Sequence, residues 1–196
     1  MATIKQIFGL DSVVPYTFDS VPPQVATCPE LLYGLELEIE RTGRIVPVSG
    51  MYDTEDGSLR NEGREFITQP MTYPNLAYCL ETFFTHNTIS ADNYSERTSI
   101  HVHTNCQDLT PHQVQGIIVL YQVLERVLYA WIGDDRESNI FCVPWHQIAL
   151  THKILDSPES IEKYKRWQKY TGLNLLPLLN LGTIEWRHMA GHHNVP

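Results

Sequence analysis

Hydrophobic and polar positions alternate strictly along Gly34-Leu35-Glu36-Leu37-Glu38-Ile39-Glu40. Leu35, Leu37 and Ile39 fall on one side and Glu36, Glu38 and Glu40 on the other, the period-two pattern of a half-buried β-strand. The three carboxylates then share a face, with neighbours about 7 Å apart at strand rise. At an effective dielectric of about 20, each neighbouring pair repels by roughly 2 kcal/mol. A cationic partner, a metal ion or open water has to offset that repulsion. Taken alone, such a run usually belongs to a solvated edge strand, and Glu40, at the end of this one, is expected to tolerate substitution.

The same pattern reading extends along the chain. Residues 1–32 carry no sustained period and read as an arm or loop with a short strand near Ile4–Phe8. Arg44–Ser49 alternates weakly and is predicted to be the hairpin partner of the acidic strand. Tyr52-Asp53-Thr54-Glu55-Asp56-Gly57-Ser58-Leu59 reads as a turn in which Asp56-Gly57 favours positive φ. Glu65–Thr68 is a strand stopped by Pro70. Pro74–His86 suits a helix with Leu76, Leu80 and Phe83 on one stripe. Ser99-Ile100-His101-Val102-His103-Thr104 is a strand with both histidines on one face. The clearest helix runs from Thr110 to Ile132, opened by Thr110-Pro111 and closed by Gly133. Asp134–Trp145 reads as a polar loop containing Arg136, and Pro158–Tyr170 as a modest helix. Leu173–Leu178 and Thr183–Met189 form a hairpin around Asn180-Leu181-Gly182. Strands and helices mix without β-α-β alternation, which predicts an α+β fold with an antiparallel sheet. One domain over 33–196 is expected behind the arm at 1–32, and the abrupt end after a strand signal predicts a chain shorter than the functional protein.

Composition narrows the class. At 196 residues, with 42% hydrophobic and 19% charged residues, the chain suits one globular domain. Its formal net charge of -9 argues against a nucleic-acid backbone as partner. Nucleotides screened by magnesium remain compatible with it. Cys28, Cys79, Cys106 and Cys142 show no C-x-x-C spacing and read as reduced thiols of a cytoplasmic protein. Neither a secretory leader nor a membrane-length apolar run is present in the sequence.

Candidate chemistry recurs on the strands. Glu36/Glu38, Glu65, His101/His103 and Glu185 with Arg187 each place acidic or imidazole groups on one strand face. Singly, each is better explained as a surface pair, a turn carboxylate or an exposed ion pair of small worth. Together they form a carboxylate-rich set with two imidazoles, which suits Mg²⁺ or Mn²⁺, with zinc as competitor. An arginine beside such a set suits phosphate and points to phosphoryl transfer from a nucleotide. No glycine-rich phosphate loop occurs, so any ATP would be held by metals and side chains. A Cys142–His146 nucleophile has no supporting spacing.

Gly34-Leu35-Glu36-Leu37-Glu38, Asp56-Gly57-Ser58-Leu59, Gly63-Arg64-Glu65-Phe66, Ser99-Ile100-His101-Val102-His103 and Gly182-Thr183-Ile184-Glu185-Trp186-Arg187-His188 resemble, in order and spacing, the motifs of the amidoligases. These are compact members of the glutamine-synthetase-like superfamily of carboxylate–amine ligases, which also contains glutamate–cysteine ligase. Arg136 with Phe141-Cys142-Val143-Pro144, and Leu173-Asn174-Leu175, are weaker points of similarity, and the likeness covers about Tyr33 to Gly191. The chain departs from the family in having Ser99-Ile100 where Gly-Leu is usual, and Ala190-Gly191-His192 where the family continues into Gly-Thr and a helix.

The resemblance implies a glutamine-synthetase-like curved antiparallel sheet with helices on its convex face, and ATP with two or three Mg²⁺ ions on the concave one. It implies Glu36, Glu38, Glu65, His101 and Glu185 as metal ligands, and His103, Arg187 and Arg136 as phosphate contacts. Asp56 would lie near metal or the incoming amine and serve as base. The implied reaction is ATP-dependent amide formation between a small-molecule or peptide carboxylate and an amine, through an acyl phosphate. A zinc hydrolase using His101 and His103, and a non-catalytic interaction protein on a retained ligase fold, are the alternatives.

Overall fold

The computed structural model describes residues 1–22, 31–148 and 165–191. In chain order these contain α1 (Ile4–Phe8), β1 (Tyr33–Ile39), β2 (Met51–Thr54), β3 (Arg64–Thr68), α2 (Tyr73–His86), β4 (Ser99–Asn105), α3 (Pro111–Ile132), α4 (Asp134–Glu137), β5 (Leu173–Asn174) and β6 (Thr183–Ala190). Among the described residues the strand ladders within the units are antiparallel, and helices accompany the strands, so the fold is α+β. Two compact units are formed, one from residues 13–104 and 190–196, the other from 1–12 and 105–189.

The first unit is built on the order β2-β3-β1-β4. Strand β1 is internal, paired with β3 on one side and β4 on the other. Leu35, Leu37 and Ile39 enter a core with Phe66, Met71, Leu76, Cys79 and Phe83, the last three supplied by the inner stripe of α2. The acidic run is therefore not an edge strand. Glu38 and Glu40 are as buried as the leucines they alternate with.

Segment 44–49 forms no strand, and the register partner expected of it is taken by β3. Asn87 explains why: its side chain accepts from Val46 N and donates to Val46 O, fixing the segment as a loop. The turn over 52–59 also differs, since Tyr52–Thr54 is strand. Positive φ falls at Gly50, Asn61 and Glu62, and not at Gly57.

The second unit packs α1 and α3 around Val114, Ile118, Tyr121, Trp145, Leu173 and Ile184. Ile4–Phe8 is a helix, where a strand was expected, because Thr3 and Gln6 close a capping box around its first turn. Ile4 itself is fully buried. Helix α3 starts after Thr110 with the same reciprocal cap and Pro111 in its first turn. Asp134–Glu137 is a helical turn within the expected loop. Leu176–Leu179 is a 3-10 turn that shortens β5 to two residues. The β5–β6 hairpin closes through Gly182 at φ 69°, where an added Cβ would lie 2.4 Å from Gln107 Cγ. The helix expected over Pro158–Tyr170 lies largely outside the described residues. Its described end, 165–170, is a short 3-10 turn and bends.

Candidate functional site

The register of the first unit assembles the predicted residues. Glu36 stands opposite His101, and Glu38 opposite Glu65, as Cα partners across β1. Cross-strand partners project to the same face, so Glu36, Glu38, Glu65 and His101 meet on one side, with His103 two residues on along β4. Glu36 bridges both imidazoles: Oε2 lies 3.0 Å from His101 Nδ1 and Oε1 3.0 Å from His103 Nε2. Ser99 Oγ donates to Glu38 Oε2 at 2.5 Å and lies 2.7 Å from His101 Nε2.

Three contacts, from Glu36 through His101 and Ser99 to Glu38, need three protons. A neutral imidazole and a hydroxyl supply two. With the Ser99 proton given to Glu38, the other two lie on the Ser99–His101 and His101–Glu36 contacts. The three contacts thus hold one proton more than a neutral imidazole and a hydroxyl supply, on a face that carries three glutamates.

The electrostatics agree. Burial opposes charge on Glu36, but the hydrogen bonds to His101 and His103 outweigh it and hold its carboxyl well below the usual range. Glu65 moves the other way. Burial, then the charges of Glu36, Asp56 and Glu38, push it up to about 8. Tyr52, on the same face of β2, is raised by burial and by Glu36 and Glu65. Glu38, Glu65 and His101 offer ligand atoms lying within 4.8 Å of one another. Two carboxylates and an imidazole at that spacing fit a hard divalent cation, which would take the place of the extra proton.

Asp56 caps its own turn, accepting from Ser58 N at 2.6 Å, and is near enough to raise Glu65. Arg97 Nη1 donates to Ser58 O and ties the turn to the segment before β4. Glu40 is not part of the cluster. It accepts from Arg60 N at 2.9 Å and from Asn61 Nδ2 at 3.5 Å, beneath the positive-φ pair Asn61-Glu62. The tolerance expected of Glu40 is therefore corrected: it is a buried anchor of the 60–63 turn.

The second unit holds the remaining candidates. Glu185 and Arg187, two residues apart on β6, form a buried ion pair through Arg187 Nη1 and Glu185 Oε1. Asn174, the β5 partner of Glu185, donates to its Oε2 at 2.5 Å. Arg187 Nε donates to Phe141 O at 3.3 Å, and its guanidinium lies 5.8 Å from the centre of the Tyr170 ring. An exposed Glu185–Arg187 pair is excluded by this burial.

Arg136 is buried and donates Nε to His188 O and Nη2 to Arg187 O, at 2.8 and 3.0 Å, so two of its donors grip the backbone of β6. Cys142 is also buried. Its thiol donates to Arg136 O and is pushed up by burial, as expected of a packing residue and not of a nucleophile. Cys79 and Cys106 are likewise buried and in no disulfide, and Cys28 lies outside the described residues.

Ser99, Tyr52 and Asn174 were given no site role from the sequence. Ser99 was within reach of it, since it precedes His101 by two and shares its face. Tyr52 and Asn174 become partners only through strand register. Among the described residues, no helix is long and apolar enough to cross a membrane. Comparison of the chain with family models, curated proteins and solved structures gives no match.

Proposed function

We propose that the protein is an ATP- and Mg²⁺-dependent carboxylate–amine ligase on a glutamine-synthetase-like fold, with Mn²⁺ able to substitute. The observation that carries this reading is the convergence of Glu38, Glu65 and His101 ligand atoms within 4.8 Å of one another, beside a Glu36 that bridges both imidazoles. Carboxylates crowded enough to raise Glu65, set beside an imidazole at that spacing, are a donor set that a hard divalent cation would relieve of its mutual repulsion. The order of the amidoligase-like motifs supplies the ligase part of the proposal, and the antiparallel strands that carry them are compatible with it.

In this reading Glu36, Glu38, Glu65 and His101 hold metal, with Glu185 as a further ligand. Bound metal would supply neutralisation of phosphate charge. Arg187 would stabilise charge on the transferring phosphoryl oxygens after exchanging its bond to Glu185. His103, released from Glu36, would donate to phosphate. Arg136 would contribute to phosphate only what its two carbonyl bonds leave, and its larger effect would be to hold the backbone that carries Arg187. Asp56, adjacent to Glu65, would take the proton of the attacking amine. Small-molecule or peptide carboxylates and amines would be the substrates.

The test is ADP and phosphate release with Mg²⁺ over a matrix of carboxylates and amines, with amide formation followed by mass spectrometry. ADP formation that requires both substrates supports the ligase. Hydrolysis supported by zinc without ATP would overturn it in favour of a hydrolase, and absence of nucleotide binding by the folded chain would leave an interaction protein.

A further inference from the structure

The inner stripe of α3, Val114, Ile118, Tyr121, Glu125 and Tyr129, is buried in the second unit. Its outer face is as apolar as the inner one, but no described residue covers it. Leu120 is 59% exposed, Val123 73%, Val127 63% and Trp131 77%, with Val119 and Leu124 also open. Between 116 and 131 the only charged residue among the exposed positions of this face is Arg126. A chain with a net charge of -9 thus carries one helical face free of carboxylates.

The spacing on that face is specific. Gly116, Leu120, Val123, Val127 and Ala130 recur at intervals of four, three, four and three, the seam pattern by which one helix packs along another. The residues beside the seam complement themselves. In a parallel pair, the position before each three-residue step meets the partner's position five residues later. Val119 would then meet Leu124 of the second copy, and Arg126 would meet its Trp131. The second contact is a cation over an indole, the best aromatic partner for a guanidinium. Gly116 and Ala130, the smallest residues in the seam, allow close approach at both ends.

Area favours the same occupant. The open apolar side chains present roughly 600 Å², the upper end of the largest patch on an ordinary monomer. Two copies of the face would together remove about 1,200 Å², the size at which specific interfaces begin.

We propose that the outer face of α3 is a self-association surface, on which a second copy of the chain packs its own α3 in parallel about a two-fold axis. Leu120, Val123 and Val127 form the seam, and Arg126 of each copy stacks on Trp131 of the other. The interface lies outside the candidate ligase residues and stands independently of that assignment.

Sedimentation velocity of the full chain from about 1 to about 100 µM, a range suited to an interface of this size, reads the outcome. A concentration-dependent dimer is expected, converted to monomer by Val123→Glu or Val127→Glu, each with the melting temperature of dilute, monomeric wild-type protein, since both positions are exposed in the single chain. Leu120→Lys, of opposite charge, repeats the test should either glutamate variant melt early. Ala130→Cys should cross-link to itself under mild oxidation, because a parallel seam places position 130 against position 130. A monomer at the highest concentration overturns the proposal, and so does a dimer that survives all three seam substitutions. A dimer in which Ala130→Cys links only when Gly116→Cys is also present would be antiparallel and would overturn it as well.

Discussion

Glu38 on β1 and Glu65 on β3 are Cα partners across an antiparallel ladder, two carboxylates facing each other on one side of the sheet. Glu65 is pushed up to about 8 by burial and by its acidic neighbours, from an ordinary 4.5. Between those values the folded chain keeps a proton that the unfolded chain has released. Stability from this group is therefore full below about pH 4.5 and is lost as pH rises towards about 8. In chelator, wild-type protein should lose melting temperature over this window relative to Glu65→Gln, which has no carboxyl to titrate there. Metal competes with the same proton, so Mn²⁺ should raise the melting temperature more at about pH 8 than at about pH 5. An equal rise at both would count against Glu65 as a ligand.

Glu38→Gln should weaken Mn²⁺ binding about tenfold or more while raising the melting temperature in chelator. The amide can still accept from Ser99 but removes one charge from the Glu36/Glu38/Glu65 face. Calorimetric titration and thermal melts read the two effects separately. A variant that binds metal normally and melts lower would make Glu38 a structural partner of Ser99 alone.

Glu40→Ala should cost about 0.5–1.5 kcal/mol, the net worth of a hydrogen bond, since Arg60 N would lose its acceptor and Asn61 its side-chain partner while both residues stay open to water. Metal affinity should stay near wild type. Chemical denaturation gives the first number, and the titration used for Glu38 the second. An unchanged denaturation midpoint would show the 60–63 turn to be held without Glu40.

These three glutamates also show how far the sequence could be read. Period two placed them on one face, and the β1 register bears that out for Glu36 and Glu38. Periodicity says nothing about which strands flank β1, so it did not distinguish an edge from an interior position. Nor did it separate Glu40, whose partners come from a turn twenty residues on. Long-range pairing decided the rest. The weak alternation at Arg44–Ser49 was overridden by Asn87, a residue about forty positions away. The caps of α3 were legible because Thr110, Pro111 and Gln113 act locally. The Ser99 bridge between Glu38 and His101 depends on β1 and β4 lying side by side, which no local pattern encodes.

His188 supplies an acid-sensitive counterpart. Burial, together with the nearby Arg136 charge and against that of Glu125, lowers it from 6.5 to about 4. Tyr121 donates its single hydroxyl proton to Glu125, so the Nε2 of His188, 2.9 Å away, carries a proton and donates to the tyrosine oxygen. The unfolded chain therefore protonates this histidine between 6.5 and 4 while the folded chain does not. Stability should fall as pH drops through that window, by at most about 3 kcal/mol. His188→Gln keeps a donor and should flatten the acid limb of a melting-temperature profile. A limb unchanged in the variant would assign acid sensitivity to other groups.

Arg187→Ala and Arg187→Lys should separate stability from turnover. In the structure Arg187 is buried, paired with Glu185, and bonded through Nε to Phe141 O. Removing the guanidinium leaves the buried Glu185 carboxylate without its cation, which typically costs about 3–5 kcal/mol. Lysine keeps a cation within reach of Glu185 and gives up mainly the Phe141 bond, worth about 1 kcal/mol. If Arg187 served only as the partner of Glu185, every property should follow that order, with lysine near wild type and alanine impaired. The ligase reading predicts a different pattern. A planar guanidinium can bond two phosphoryl oxygens at once, whereas an ammonium acts as a point charge. ADP release should then fall about 100-fold or more in both variants, the scale seen when one preorganised oxyanion donor is lost. The lysine variant should meanwhile keep nearly the full denaturation midpoint and bind Mn²⁺ as wild type does. Turnover by the lysine variant within a few-fold of wild type, alongside an impaired alanine variant, would reduce Arg187 to a buried counter-charge and remove the bidentate phosphate contact from the proposed mechanism.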